Sequence, residues 1–294
     1  MTSSDIPKPI AIARVRSPIA PMLAEPRVAS GQVSQALYGH LLSVSEQRDD
    51  WCRVHTLDGY PGWSHRGYLD IVNVDRDERG VPAGEPDEFG AVDADFGVRF
   101  RSEEDARLVG IDDETLRISL GCTVRDDAGR VRRLPLGAWL TDRDATVLDG
   151  DVVPMGEREV RFPGDAEAIV RTALRYFEGT SYQWGGLTPW GADCSGLVQA
   201  VFGLHGILLP RDAHQQAERG EDAGSDLSAL RAADLLYFSD RDDRRITHVG
   251  IATGDGCMAH LALGRGGYAL DRLDDASDAY VAKLVERFLF ARRM

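Results

Sequence analysis

Over residues 10 to 72 apolar and polar positions alternate in short runs broken by turn signals. Ser43-Val44-Ser45 leads into an Asp-rich turn. Trp51-Cys52-Arg53-Val54-His55-Thr56 follows, then the turn Asp58-Gly59 and the pair Gly62-Trp63. Successive side chains of a strand point to opposite faces, so runs this short at this spacing predict a small β-barrel. Residues 73 to 95 are acidic and hold Gly80, Pro82, Gly84 and Pro86, the composition of a linker. Residues 96 to 156 repeat the strand pattern less clearly. Leu116 to Arg125 alternates, the turn Asp127-Ala128-Gly129 intervenes, and Val131-Arg132-Arg133-Leu134-Pro135 follows. The two segments read as diverged copies of one barrel.

From about residue 160 the period changes. Ala168, Ile169, Ala173, Leu174 and Phe177 recur at helical spacing, which predicts a helix over 165 to 177. The turn-prone Gly191-Ala192-Asp193 is followed at once by Cys194-Ser195-Gly196-Leu197-Val198-Gln199-Ala200-Val201-Phe202, an apolar helical pattern. A loop is expected at 209 to 216, and strands at 234–238, 246–252, 257–263 and 268–272. The stretch from Tyr280 to Arg292 carries both strand and helix character.

This pattern puts Cys194 in the first turn of a buried helix. Unpaired backbone N–H groups and the positive end of the helix dipole favour a thiolate there. Two histidines flank a hairpin signal, Thr253-Gly254-Asp255-Gly256. A three-residue loop centred on Gly254 sets His248 directly opposite His260, and one centred on Asp255 makes them diagonal neighbours on one face. A two-residue Asp255-Gly256 turn sends them to opposite faces, and local turn statistics favour it. The catalytic reading needs a loop of odd length, which is the expectation adopted. Cys194 is then a nucleophile activated by His248, with His260 orienting the imidazole. Backbone N–H groups at the helix start, that of Cys194 among them, would stabilise the oxyanion.

Charge and cysteine usage narrow the classes. The 294 residues carry a net charge of −14, which disfavours nucleic acid and anionic membrane surfaces as partners and suits a small diffusing substrate. Hydrophobic residues at 43% suffice for cores without metal or disulfide staples. Cys52, Cys122, Cys194 and Cys257 are scattered without metal-ligand spacing, so reduced thiols are expected and no metal or cofactor is called for. The N-terminal residues lack a basic segment followed by an apolar one, and no run is long enough to span a bilayer. The expectation is a cytoplasmic protein.

Residues 165 to 263 resemble the NlpC-type cysteine peptidases, papain-like enzymes that cut peptidoglycan stem peptides. The resemblance is carried by Tyr182-Gln183-Trp184-Gly185-Gly186, Asp193-Cys194-Ser195-Gly196-Leu197-Val198, Leu209-Pro210-Arg211-Asp212, Ala233-Asp234-Leu235-Leu236-Tyr237-Phe238, Thr247-His248-Val249-Gly250-Ile251 and Met258-Ala259-His260, in that order. It implies a Cys194, His248 and His260 triad with Tyr182 near the oxyanion site. Relatives read Gly-Asp-Leu where this chain has Ala233-Asp234-Leu235. His40, His55, His65, His205 and His214 match no motif and are read as surface or core residues.

The N-terminal segments resemble bacterial SH3-like domains. The implied architecture is multidomain: an SH3-like β-barrel at 10–74, a linker at 75–95, a second SH3-like β-barrel at 96–156, and an α+β papain-like peptidase domain at 160–294. Gly59-Tyr60-Pro61-Gly62-Trp63 resembles the signature of a subgroup that cleaves the bond between γ-D-glutamate and the diamino acid when the L-alanine amine is free. By that resemblance Tyr60 walls the groove and Asp212 binds the amine. Trp184, Asp193 and Ser195, with Arg211 of the Pro-Arg-Asp motif, belong to the substrate site. Asp212 as a helix cap or a loop salt bridge, and Tyr60 and Trp63 as barrel core or an interdomain contact, are the plainer alternatives. Where relatives carry a glutamate after Tyr-Gly, Tyr38-Gly39 is followed here by His40.

The expected function is hydrolysis of L-Ala-γ-D-Glu–diamino acid murein peptides during cell-wall peptide recycling, with these small peptides as the partners. The rivals are a hydrolase of intact peptidoglycan anchored by its SH3-like domains, an inactive wall-binding module, and an acyltransferase on a related fold.

Overall fold

The computed structural model describes residues 9–73, 115–126, 128–141 and 145–294. The expected linker at 75–95, and residues 96–114 of the expected second barrel, lie outside the described residues. The chain divides into two compact units, Met1–Glu157 and Arg158–Met294.

In the first unit, β1 (Ala11–Val15), β2 (Ile19–Leu23), β3 (Gln32–Leu37), β4 (Leu41–Arg48), β5 (Trp51–His55), β6 (Pro61–His65) and β7 (Leu69–Asn73) form one antiparallel sheet in the order β3-β2-β6-β5-β4-β1-β7. Alternation decides its inner face. Ala11, Ala13 and Val15 of β1 are buried and meet Ala20, Met22, Val44 and Val54 in one core, against which Tyr60 packs half-buried. Trp63 is 4% exposed, with the Arg48 and Arg53 guanidiniums over its ring at 5.0 and 5.9 Å.

Three further strands, β8 (Arg117–Asp126), β9 (Val131–Leu140) and β10 (Ala145–Pro154), form a separate antiparallel sheet in the order β10-β8-β9. Its core takes in Leu37 and Tyr38 from the end of β3 alongside Val124, Leu134 and Leu140. Gly39 turns there with φ +79°, where a Cβ would lie 2.1 Å from the Trp139 carbonyl oxygen, so no larger residue fits the corner. Next to it, His40 Nε2 lies 2.9 Å from the Gly137 carbonyl oxygen, and its ring packs 4.7 Å from that of Trp139. Burial pushes His40 down to about 4, with the Gly137 carbonyl pulling the other way. It therefore sits neutral at this corner near pH 7.

The second unit is α+β. The Ala166–Phe177 helix starts on Asp165, whose carboxylate accepts from the Ala168 N–H at 2.8 Å. A short hairpin, β11 (Leu187–Thr188) and β12 (Gly191–Ala192), leads into the Cys194–Leu204 helix. After the short Ala213–Gln216 helix come β13 (Glu221–Gly224), β14 (Leu235–Phe238), β15 (His248–Ala252), β16 (Cys257–Ala262) and β17 (Gly267–Arg272). The Ala279–Glu286 helix and β18 (Phe288–Arg293) close the chain's order, and the six strands stand as β13-β18-β14-β15-β16-β17. The ambiguous C-terminal stretch is thus one helix and one strand. Asp278 caps the helix through the N–H groups of Tyr280 and Val281.

Both faces of the central strands are buried, which explains their continuous apolar runs. Leu235, Tyr237, Val249, Ile251, Ala259 and Leu261 are 0% exposed. Leu236, Phe238, Ala252 and Met258 form a second cluster with Leu284 of the C-terminal helix. The Cys194–Leu204 helix packs on β15 and β16. Its Leu197, Val198, Val201 and Phe202 are 0% exposed.

Candidate active site

The helix that carries Cys194 is started by Asp193. That residue is extended (φ −104°, ψ −179°), and its carboxylate accepts from the Gly196 N–H at 2.8 Å and from the Gly185 N–H at 2.8 Å. A Cβ on Gly196 would lie 2.0 Å from the Gly186 carbonyl oxygen, so the Gly-Gly turn and the helix start touch backbone to backbone. Arg211 clamps the same carboxylate at 3.0 and 2.7 Å and donates to Ser195 Oγ at 2.9 Å. Gln216 Nε2 donates to the Ser195 carbonyl at 3.0 Å. Asp193, Ser195 and Arg211 are 4%, 6% and 2% exposed. Sequence reasoning placed these three among substrate-binding residues. Their side chains are engaged with one another and with the backbone, so their visible work is to fix the first turn of the Cys194 helix.

Cys194 is 7% exposed. The backbone N–H groups of Val249 and Ser195 act on its thiol, which places it near the strand residue that follows His248. Burial pushes the thiol up to about 12 and the charge of Asp193 adds to this. The two N–H groups and Arg211 pull the other way and lose. This corrects the expectation of a thiolate favoured by the helix start: desolvation outweighs the dipole here. His248 is likewise driven neutral. Burial, then the charge of His260, lower it to about 3, with Asp271 opposing. At rest the two groups are a thiol and a neutral imidazole.

The two strands meet as a hairpin in which Ile251 faces Ala259 and Ala252 faces Met258, with Thr253 N–H bonded to the Cys257 carbonyl. The loop is centred on Asp255 and has odd length, so the two histidines are diagonal neighbours on one face. His248 Nε2 lies 2.8 Å from His260 Nδ1. The series continues beyond what sequence reasoning named. His260, 0% exposed, places Nε2 3.0 Å from Asp271 Oδ2 on β17. Arg265 grips both oxygens of Asp271 at 3.1 and 2.8 Å and also reaches Asp278. Asp271 gave only a partial signal in the sequence. It is the acidic residue of an expected strand, and its register partner Met258 stands two residues from His260 on the same face.

The Tyr182 phenol is raised by burial and then by the charges of Cys194 and Asp193, which sets it close to the nucleophile. Trp184 is 69% exposed. Asp212 occupies the N-cap position of the Ala213–Gln216 helix, yet its side chain makes no capping bond, so the cap alternative does not hold. Tyr60 lies in the first unit, leaning on that unit's core. Among the described residues no helix is long and apolar enough to cross a membrane.

Residues 179–283 match the NlpC/P60 family model and residues 22–64 match the bacterial dipeptidyl-peptidase SH3 domain model. The chain is 28% identical over 236 residues to a γ-D-glutamyl-L-lysine dipeptidyl-peptidase of Bacillus subtilis, covering 77% of this chain and 71% of that one. It is 26% identical over 271 residues to dipeptidyl-peptidase 6 of Lysinibacillus sphaericus, covering 89% and 92%. The crystal structure of an NlpC/P60 family protein from Bacillus cereus shares its fold at a TM-score of 0.67 and 17% identity, covering 96% and 99%. Thus the segment that carries Cys194, His248 and His260 is an NlpC/P60-family domain, joined in one chain to a bacterial SH3 domain.

Proposed function

We propose that the protein is a cysteine endopeptidase that hydrolyses the γ-D-Glu–diamino acid bond of murein peptides with a free N-terminal L-Ala. The observation that carries this reading is the buried thiol of Cys194 held beside the His248 strand, with His248 bonded to His260 at 2.8 Å. In the reaction the thiol proton passes to His248 as sulfur attacks the γ-carbonyl carbon. The tetrahedral oxyanion collapses, the amine of the diamino acid leaves with the proton from His248, and a thioester remains. Water, deprotonated by His248, then cleaves the thioester and restores the thiol. Tyr182 stands on the oxyanion side.

Asp212 pairs its carboxylate with the peptide's ammonium, a contact that uncut wall, whose L-alanine is amide-linked, does not offer. Exposed Trp184 supplies an apolar wall. Asp193, Ser195 and Arg211 act by bracing. The part given to Tyr60 rests on the Gly59 to Trp63 signature, and residues 96–156 are read as a second, diverged SH3-like copy. A net charge of −14 and four unpaired thiols support peptide recycling in the cytoplasm. The names of the two dipeptidyl-peptidases support the bond chosen.

The test is mass spectrometry of L-Ala-γ-D-Glu-diaminopimelate, its L-lysine counterpart and their N-acetylated forms, with Cys194→Ala as control. Cleavage of only the free-amine peptides, lost in the control, is the expected result. Equal cleavage of both forms would replace this reading with an open-groove wall hydrolase. No cleavage would leave a binding module or an acyltransferase.

A further inference from the structure

The catalytic rings are not the end of the hydrogen-bonded series. His260 has a partner on each nitrogen: His248 on Nδ1 at 2.8 Å and Asp271 on Nε2 at 3.0 Å. Asp271 is 8% exposed and itself held from the far side, Arg265 donating to both its oxygens. Arg265 in turn reaches Asp278 at 2.5 Å and lies 4.4 Å from the Tyr280 ring. Tyr280 stacks tilted at 6.4 Å from His260. The titratable and charged groups facing His260 are therefore His248, Asp271, Arg265 and Tyr280, with Asp278 behind the arginine.

A neutral imidazole has one N–H and one lone pair, and each hydrogen bond decides which is where. Burial pushes the Asp271 carboxyl up, but the bonds and charges of His260 and Arg265 outweigh it and hold it below the usual carboxylate range. An ionised carboxylate only accepts. His260 must then carry its proton on Nε2 and present a lone pair at Nδ1. That lone pair accepts from His248, so His248 carries its proton on Nε2 in turn, leaving the Nδ1 lone pair as its base.

We propose that Asp271 is a positioning residue that sets the tautomers of both histidines in series, so that His248 meets the Cys194 thiol with the unprotonated Nδ1. Arg265 has a matching part. Its bonds to both Asp271 oxygens keep that carboxylate facing His260 Nε2.

The catalytic consequence rests on the peptidase reading, while the tautomer assignment does not. The experiment is long-range 1H–15N correlation of histidine-labelled full-length protein, repeated on Asp271→Leu, with steady-state kinetics on L-Ala-γ-D-Glu-diaminopimelate. In the unmodified protein both rings should show a protonated Nε2 and a pyridine-type Nδ1. In the leucine variant the two rings should populate mixed tautomers. Its kcat should fall about 10²-fold with KM within about threefold, because Asp271 touches an orienting ring and not the peptide. A protonated Nδ1 on His260 in the unmodified protein overturns the proposal, and needs no variant to fold. A folded leucine variant with unchanged ring signals and unchanged kcat overturns it as well. A silent unmodified enzyme with Nε2-protonated rings would sink the peptidase reading and still uphold the tautomer assignment.

Discussion

Arg211 donates to both carboxylate oxygens of Asp193, at 3.0 and 2.7 Å, one residue before the nucleophile. The pair is 2% and 4% exposed, so neither charge has water to fall back on. Removing the guanidinium leaves a buried carboxylate held by the Gly185 and Gly196 N–H groups and the Ser195 hydroxyl at 3.3 Å. Arg211→Met should cost about 3–5 kcal/mol in urea unfolding, and Asp193→Asn in the same background should return part of it. Loss of less than about 1 kcal/mol would show that the Gly185 and Gly196 N–H groups and the Ser195 hydroxyl suffice for Asp193.

Ala233 holds φ +64°, a left-handed conformation in which its Cβ is crowded. It cannot relax, because its N–H bonds the Ala252 carbonyl and the next residue, Asp234, is 0% exposed and gripped by Arg293 at 2.8 and 2.7 Å. The departure from the relatives' Gly-Asp-Leu thus stores backbone strain. Ala233→Gly should stabilise the protein by about 0.5–1 kcal/mol, the strain relieved exceeding the added chain entropy. A lower unfolding midpoint in the glycine variant would refute the strain.

The thiol of Cys194, pushed up to about 12, should not show the flat alkylation profile of a preformed thiolate. Its rate with iodoacetamide should still be rising at roughly pH 10, beyond the range of an ordinary thiol. A plateau reached below about pH 6 would mean that a thiolate–imidazolium pair already exists at rest.

His40 is held at about 4 against 6.5 for a free side chain. Below 6.5 the unfolded chain takes up this proton while the folded chain does not, so stability falls as pH drops from 6.5 towards 4. His55 and His205 are lowered by burial too and act in the same direction. The urea midpoint should drop between about pH 7 and pH 5, and His40→Leu should shrink that drop in part. An undiminished drop would exonerate His40.

Much of this was legible in the residues because local chemistry and tertiary use agree. Asp165 and Asp193 are good helix starters, and each caps the helix that the apolar period announces. The hairpin between His248 and His260 was legible only through function. Turn statistics favoured two residues, whereas the sheet register centres the loop on Asp255, with Gly254 and Gly256 both at positive φ. The charge state of Cys194 was not legible, since a helix start favours a thiolate locally and only the packed fold shows how much water is gone. Asp271 escaped for a related reason. Its partner is set by the register of β16 on β17, a relation between strands that neither strand carries alone.

Burial of Cys194 also bears on its chemical survival. Peroxide attacks thiolates, and a protonated sulfur that is 7% exposed offers it no charge and little surface. The nucleophile is therefore guarded against oxidation while idle. Its exposure to damage is confined to turnover, when a bound carbonyl draws the proton away.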